Sequence, residues 1–332
     1  MPELARALWL AEPGRAELRT ETLPEPAPDE VLVRTRFTAV SRGTESLVFG
    51  GHVPPSQYDL MRAPHQDGAF PAPVKYGYLN VGVVERGPED LLGRTVFCLY
   101  PHQDRYVAPA ASVVPVPPEV PAARAVLAGA VETAVNALWD ARPVVGDRVS
   151  VVGAGMIGAA LARLLVQIPG VDVELVDVEP GRAELAARLG VRLAPPDHAR
   201  AGRDLVLHTS ATEAGLRRGL ELLAPEGELV ELSWFGDREV RLPLGAAFHS
   251  GRLSLRASQV GRVAPVRRSS RSTADRLGLA LRLLADPAFD ALLEPAVEFE
   301  SLPDVLAEIA SGRRVGLVQL VRYEPLSVDG EG

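Results

Sequence analysis

The residues with the most legible chemistry lie between Arg148 and Gly158. The run Arg148-Val149-Ser150-Val151-Val152-Gly153-Ala154-Gly155-Met156-Ile157-Gly158 reads as a buried strand, a glycine turn and the start of a helix. A G-x-G-x-x-G pattern in that setting is a cradle for the pyrophosphate of a dinucleotide. Gly153 permits the tight turn. Gly155 has no Cβ to hold a phosphate away, and Gly158 lets the helix Ala159 to Gln167 pack closely on the sheet. The amides of Met156 and Ile157 then face the phosphates, with about half a positive charge from the aligned peptide dipoles.

The next apolar run, Val173-Glu174-Leu175-Val176, ends in Asp177, 24 positions beyond Gly153. That is near the spacing of roughly 20 expected of the acid that binds the adenosine ribose. A carboxylate there accepts hydrogen bonds from both ribose hydroxyls and repels the 2′-phosphate of NADP, so the residues favour NAD as cofactor. Arg182, a few positions on, is placed to stack on or bond the adenosine side.

The 332 residues are too many for one ordinary core and suit two domains. A net charge of −8 argues against a general nucleic-acid binder. Arg267, Arg268 and Arg271 form a local basic cluster that reads as a solvated loop or a phosphate contact. The single cysteine, Cys98, excludes an intrachain disulfide, which suits a reducing compartment. The first residues carry no signal-peptide apolar core, and no apolar run approaches 18 residues. The expectation is a cytoplasmic protein without a membrane partner.

The positioning elements follow from the rhythm of the chain. Up to about residue 115, short apolar runs alternate with Pro/Gly turns, as in a β-rich region: Ala5 to Leu10, Glu30 to Ala39, Asn80 to Glu85, Arg94 to Leu99 and Asp104 to Val107. From about 121 to 256, helical stretches alternate with strands at Val149 to Val152, Val173 to Val176, Leu205 to Thr209 and Glu228 to Leu232. This alternation predicts a doubly wound parallel sheet. Beyond 257 come a helix near Ala274 to Ala285, a run Ala296 to Phe299, a helix at Pro303 to Ser311 and a strand at Gly316 to Tyr323. The tail from Glu324 is expected to fray.

This arrangement resembles the medium-chain dehydrogenase/reductase superfamily, that of the zinc-type alcohol dehydrogenases. The residues that carry the likeness are Gly77-Tyr78-Leu79-Asn80-Val81-Gly82-Val83-Val84-Glu85, Gly146-Asp147-Arg148-Val149, and Leu223-Ala224-Pro225-Glu226-Gly227-Glu228. Ser41-Arg42-Gly43-Thr44-Glu45 is similar to a motif of bacteriochlorophyllide dehydrogenases. The resemblance implies an α/β fold: a GroES-like β-barrel domain (residues 1–128 and 257–332) plus a Rossmann domain (129–256). It also implies an active site in the cleft between them and a homodimer formed through the edge of the Rossmann sheet.

The departures from that family bear on the metal. Where zinc-dependent members have a catalytic Cys, this chain has Ser41. Their ligand His falls on Tyr78, the neighbouring Glu on Leu79, and the third ligand near Gly129. Zinc prefers thiolate and imidazole, so no catalytic zinc is expected at the usual place. A rearranged site would have to draw on Glu45, His52, His65 or Glu132.

Hydride transfer without a metal needs a donor on the oxygen that carries developing negative charge. Tyr78 is the first candidate, and Ser41 and Thr44 are candidates for a hydrogen-bond relay. Lys75 is a candidate for lowering the Tyr78 pKa. Each has a plainer reading: packing for Tyr78, turn capping for Ser41 and Thr44, a surface charge for Lys75. By resemblance, Thr133 is expected beside the nicotinamide, with helix packing as the alternative. Thr209 and Ser210, and Ser233 and Trp234, fall after two strands at the carboxyl edge of the sheet, where ligands bind. Trp234 and Phe235 suit either stacking or core packing. The stretch Gln57 to Phe70 reads as a substrate lid or an ordinary loop.

The reading is an NAD-dependent, zinc-independent oxidoreductase interconverting an alcohol and a carbonyl of a small molecule. Its rivals are an enone- or quinone-type reductase using NAD(P)H and a dinucleotide-binding protein without catalysis.

Overall fold

The computed structural model describes residues 3–323; the tail expected to fray lies outside the described residues. The chain divides into two compact units. One comprises Met1–Ala128 and Leu293–Gly332 in their described parts, and the other is Gly129–Leu292.

The first unit opens with β1 (Leu4–Glu12), β2 (Arg15–Thr22) and the long β3 (Glu30–Ser41), which runs directly into helix α1 (Arg42–Phe49). Two short strands, β4 (Asp67–Gly68) and β5 (Val74–Lys75), then precede β6 (Asn80–Arg86), β7 (Thr95–Cys98), β8 (Arg105–Pro109) and β9 (Val113–Pro115). β-Branched residues recur along β3 and β6, as a pleated and buried surface requires. Val31, Val33, Val84, Val96, Tyr106 and Ala108 close into one apolar cluster. The short helix α2 (Ala122–Ala125) leads to α3 (Ala128–Ala141), where the second unit begins.

That unit follows the strand–helix alternation of its sequence: β10 (Arg148–Val152), α4 (Met156–Leu165), β11 (Asp172–Val176), α5 (Ala183–Leu189), β12 (Arg192–Ala194), β13 (Arg203–His208), α6 (Glu213–Leu222), β14 (Leu223–Glu231), β15 (Ser254–Ala257) and α7 (Thr273–Leu283). The strands form one parallel sheet in the order β12-β11-β10-β13-β14-β15. The order reverses beside β10, and such a switch point opens a crevice at the carboxyl ends of the strands. The register places Val152 opposite both Val176 and His208, and His208 opposite Glu231, so these residues share one edge. β12 and β15, absent from the expected strands, cover the two ends of the sheet.

The chain returns to the first unit through β16 (Leu293–Glu298), helix α8 (Leu302–Ala310) and β17 (Val318–Arg322). There it completes a sheet of order β16-β17-β3-β6-β7-β9, with β8 also paired to β3 and a smaller sheet β2-β1-β5-β4 beside it.

One expected boundary differs. Residues 257–292, assigned to the barrel domain from the sequence, belong to the second unit. The physical reason is Arg276 on α7, which is 1% exposed. Its guanidinium donates to Glu132 Oε1 at 3.0 Å, Asn136 Oδ1 at 2.5 Å and the Val260 carbonyl at 2.6 Å. A buried guanidinium must have such partners, and two of them lie on α3. Arg276→Ala, which strands Glu132 without its counter-charge, is expected to cost about 3 kcal/mol or more in urea unfolding. The double change Arg276→Met with Glu132→Leu should cost clearly less.

Candidate functional site

The second unit builds a dinucleotide-type cradle from backbone constraints. Gly153 follows β10 with φ +111°, and a Cβ there would lie 2.7 Å from the Ser210 nitrogen. At Gly158 a Cβ would fall 1.8 Å from the Gly153 carbonyl oxygen, so only glycine lets α4 start this close to the turn. Gly155 is the N-cap of α4 and is exposed; a Cβ there would meet no protein atom within 4 Å. The amide end of α4 at Met156 and Ile157 is therefore open to an anion.

Asp177 closes this cradle. Its Oδ2 accepts from the Ala154 amide at 2.6 Å and its Oδ1 from the Glu179 amide at 2.9 Å. The carboxylate thus stands against the glycine turn with one lone-pair site on each oxygen still unused by these bonds. Arg182 ends a single turn of 3₁₀ helix, Pro180–Arg182, immediately beyond it.

Other expected contacts are engaged within the protein. Thr209 Oγ1 donates to the Gly153 and Val152 carbonyls at 2.9 and 3.2 Å, pinning β13 to the turn. Ser210 Oγ lies 2.7 Å from His208 Nε2, and Ser233 Oγ accepts from the Ala211 amide at 3.0 Å. Thr133 Oγ1 donates to the Gly129 carbonyl at 2.9 Å, four residues back in its own helix. Trp234 is half-buried, whereas Phe235 packs on the apolar cluster of the sheet.

The first unit gathers a polar cluster where β3 turns into α1. The hydroxyls of Ser41 and Thr44 act on the Tyr78 phenol and favour its ionised form. Ser41 is the N-cap of α1, yet its side chain makes no capping bond. Burial, with a smaller push from the Glu45 charge, raises the Tyr78 phenol from 10.0 to about 12, while the Ser41 and Thr44 hydroxyls pull it down. Tyr78 is thus a neutral donor at ordinary pH. Its ring meets Tyr76 edge-on at 6.0 Å.

Beneath it lies a group that the sequence reading did not assemble. Glu45 is 3% exposed and His102 1%. Glu45 Oε1 accepts from the Ser41 amide at 2.6 Å, and Oε2 lies 2.8 Å from His102 Nε2. His102 Nδ1 lies 2.7 Å from Thr38 Oγ1, itself 3.1 Å from the Tyr323 hydroxyl. Glu45 was visible in the sequence as a spare metal ligand, but nothing in the spacing pointed to His102, Thr38 or Tyr323.

Lys75 requires a correction. It does not act on Tyr78, whose pKa moves up with no contribution from it. Nor is it a surface charge: Lys75 is 5% exposed. Its Nζ donates to Glu21 Oε2 at 2.7 Å and Gln103 Oε1 at 3.0 Å, and lies 5.8 Å from the Trp9 ring centroid. The cause is the strand pairing of β5 between β1 and β4, which commits this side chain to the smaller sheet.

The residues named for a rearranged metal site have separate employment. Glu45 holds His102, Glu132 holds Arg276, and the His65 ring stacks on Tyr100 at 5.1 Å. Among the described residues no group of three or more His, Cys, Asp and Glu is arranged to hold a metal ion. Nor, among them, is any helix long and apolar enough to cross a membrane. The stretch around Gln57 to Phe70 is tied internally by Arg62, which donates to the Gln66 and Gly68 carbonyls at 2.9 and 3.0 Å.

Comparisons with known proteins place the fold. L-idonate 5-dehydrogenase of Escherichia coli K-12 superposes with a TM-score of 0.79 at 15% identity, over 97% of this chain and 99% of that one. A short chain alcohol dehydrogenase of Escherichia coli CFT073, complexed with NADH, gives 0.77 at 16% identity, over 96% and 99%. A candidate zinc-binding dehydrogenase of Sinorhizobium meliloti 1021, bound to NADP, gives 0.77 at 15%, over 96% and 99%. The fold is thus a GroES-like β domain plus a Rossmann-type parallel-sheet domain. A curated relative, 2-desacetyl-2-hydroxyethyl bacteriochlorophyllide A dehydrogenase of Cereibacter sphaeroides, is 32% identical over 187 residues, 49% of this chain. The match spans about half the length of that relative (54%). No family model matches the chain.

The raised Tyr78 pKa has a consequence for stability. A phenol that holds its proton more tightly when folded adds stability that is whole below pH 10. That stability is lost as the pH climbs through about 12. Tyr78→Phe should therefore unfold less steeply than the parent between pH 10 and 12, by denaturant titration followed at several pH values.

Proposed function

We propose that this protein is an NAD-dependent, zinc-independent oxidoreductase of the medium-chain superfamily that interconverts an alcohol and a carbonyl. The observation that carries the reading is Asp177, hydrogen-bonded across to the Ala154 amide inside the glycine turn. It presents a carboxylate where a ribose would be read, beside the open end of α4. The solved relatives include one with NADH and one with NADP, so the choice between them rests on Asp177. The bacteriochlorophyllide dehydrogenase match supports the dehydrogenase class.

The nicotinamide would supply or accept the hydride when bound. The protein's part is to hold the reacting oxygen and its proton. Tyr78 keeps its proton across the physiological range and can donate it to an oxygen gaining negative charge. The Ser41 and Thr44 hydroxyls favour the ionised form of the phenol and so ease that donation. Glu45, fixed by His102 and the Ser41 amide, holds the β3–α1 corner that presents both hydroxyls.

Fluorescence titration tests the cofactor assignment. NADH should bind at least about tenfold more tightly than NADPH, or about 1.4 kcal/mol; equal affinities, or tighter NADPH, overturn it. A spectrophotometric panel of alcohols, aldehydes and enones, run on chelator-treated protein, then identifies the reaction. With a substrate in hand, Tyr78→Phe is expected to lower kcat roughly a hundredfold, the scale for one preorganised donor. NADH affinity should barely move. An unchanged kcat would remove Tyr78 from the chemistry.

A further inference from the structure

The carboxyl edge of the six-stranded sheet holds another chain of hydrogen bonds, which the proposed reaction leaves unused. His208 ends β13 opposite Glu231 at the end of β14. Its Nδ1 lies 2.6 Å from Glu231 Oε2, and its Nε2 2.7 Å from Ser210 Oγ. Ser210 Oγ lies 2.9 Å from Thr212 Oγ1, and the other Glu231 oxygen accepts from the Ser233 amide at 2.6 Å. The His208 side chain is 0% exposed, and that of Glu231 is 14%.

The surroundings leave Glu231 as the charge that touches the imidazole. From α6 the nearest approach is Gly215, where a Cβ would sit 3.0 Å from Nε2. The charged residues of its first turns, Glu213 and Arg217, face each other at 4.0 Å. The loop after β14 brings the Phe235 ring to 6.3 Å, nearly parallel to the imidazole. Arg238 lies 5.8 Å from the centroid of that same ring and donates to the Ala211 carbonyl. β10 contributes the neutral Val152.

Strand order says what this pair would meet. Asp177 follows β11 and the glycine turn follows β10; β13 and β14 are the next strands along the sheet. A dinucleotide with its ribose on Asp177 and its pyrophosphate on the turn extends its nicotinamide end over the ends of β13 and β14. We infer that His208 and Glu231 set the preference of this site for the oxidised over the reduced nicotinamide, an inference that rests on the dinucleotide reading. The Glu231 carboxylate, held by the His208 imidazole and the Ser233 amide, brings a negative charge to that edge. That charge attracts the cationic ring of NAD+ and is indifferent to the neutral ring of NADH. Affinity for NAD+ then depends on Glu231 and on the imidazole that holds it, and affinity for NADH does not.

Quenching of tryptophan fluorescence by NAD+ and by NADH, measured on the parent, Glu231→Gln and His208→Asn, tests this. The expected result is that Glu231→Gln weakens NAD+ by at least about threefold while the Kd for NADH changes by less than about twofold. His208→Asn, which loses the bond that holds the carboxylate, should shift the balance between the two nucleotides in the same direction. Unchanged NAD+ affinity in a folded Glu231→Gln overturns the inference. So does equal weakening of both nucleotides. Tight binding that Glu231→Gln does not alter leaves the dinucleotide reading standing. Failure of both nucleotides to bind the parent brings down that reading and the inference with it.

Discussion

The contact between the Gly158 Cα and the Gly153 carbonyl is the steric constraint on which the second unit turns. With a Cβ position only 1.8 Å from that oxygen, α4 can begin against the end of β10 only because Gly158 lacks a side chain. Thr209 then reaches across from β13 to bond the same carbonyl. Asp177 closes the turn from the β11 side. Three adjacent strands are thereby referred to one peptide unit, and the open amide end of the helix is fixed relative to all of them. A looser approach would leave the amides of α4 and the carboxylate of Asp177 at an undefined separation.

The first unit meets a different requirement, that of keeping a carboxylate inside a protein. Glu45 is enclosed, so both its oxygens must be partnered, and they are, by one backbone amide and one imidazole. The partners come from β3 and from the segment after β7, which makes the pair a clamp on the corner where α1 starts. Tyr78, Ser41 and Thr44 sit on that corner. The phenol there retains its proton tightly, because burial raises its pKa more than Ser41 and Thr44 lower it.

The parts of this molecule that were legible in the sequence are those built from neighbouring residues. The glycine turn, the alternating strands and helices, and Asp177 are all local in sequence, and periodicity and glycine positions report them directly. Tyr78, Ser41 and Thr44 were named through family likeness rather than spacing, and their role is a proposal. What escaped were contacts made over long separations. Glu45 and His102 are 57 positions apart, and Arg276 and Glu132 are 144 apart. No single-chain pattern encodes such meetings. Residues 257–292 went to the wrong unit for that reason, since α7 reads as an ordinary amphipathic helix until its arginine finds α3. Lys75 misled in the opposite way: three positions from Tyr78 suggests closeness, but strand pairing commits its amine to Glu21 and Gln103.

That placement of Lys75 carries over to how the protein can be handled chemically. It is the sole lysine of the chain, and its amine is enclosed and ion-paired. Every other cationic side chain apart from histidine is a guanidinium, which stays charged at any pH the fold survives. Reagents that acylate lysine therefore find almost no foothold on the described surface, and amine cross-linkers cannot join two copies through it. The same scarcity makes Lys75 a sentinel: acylation there reports that the sheet of β1, β2, β4 and β5 has opened.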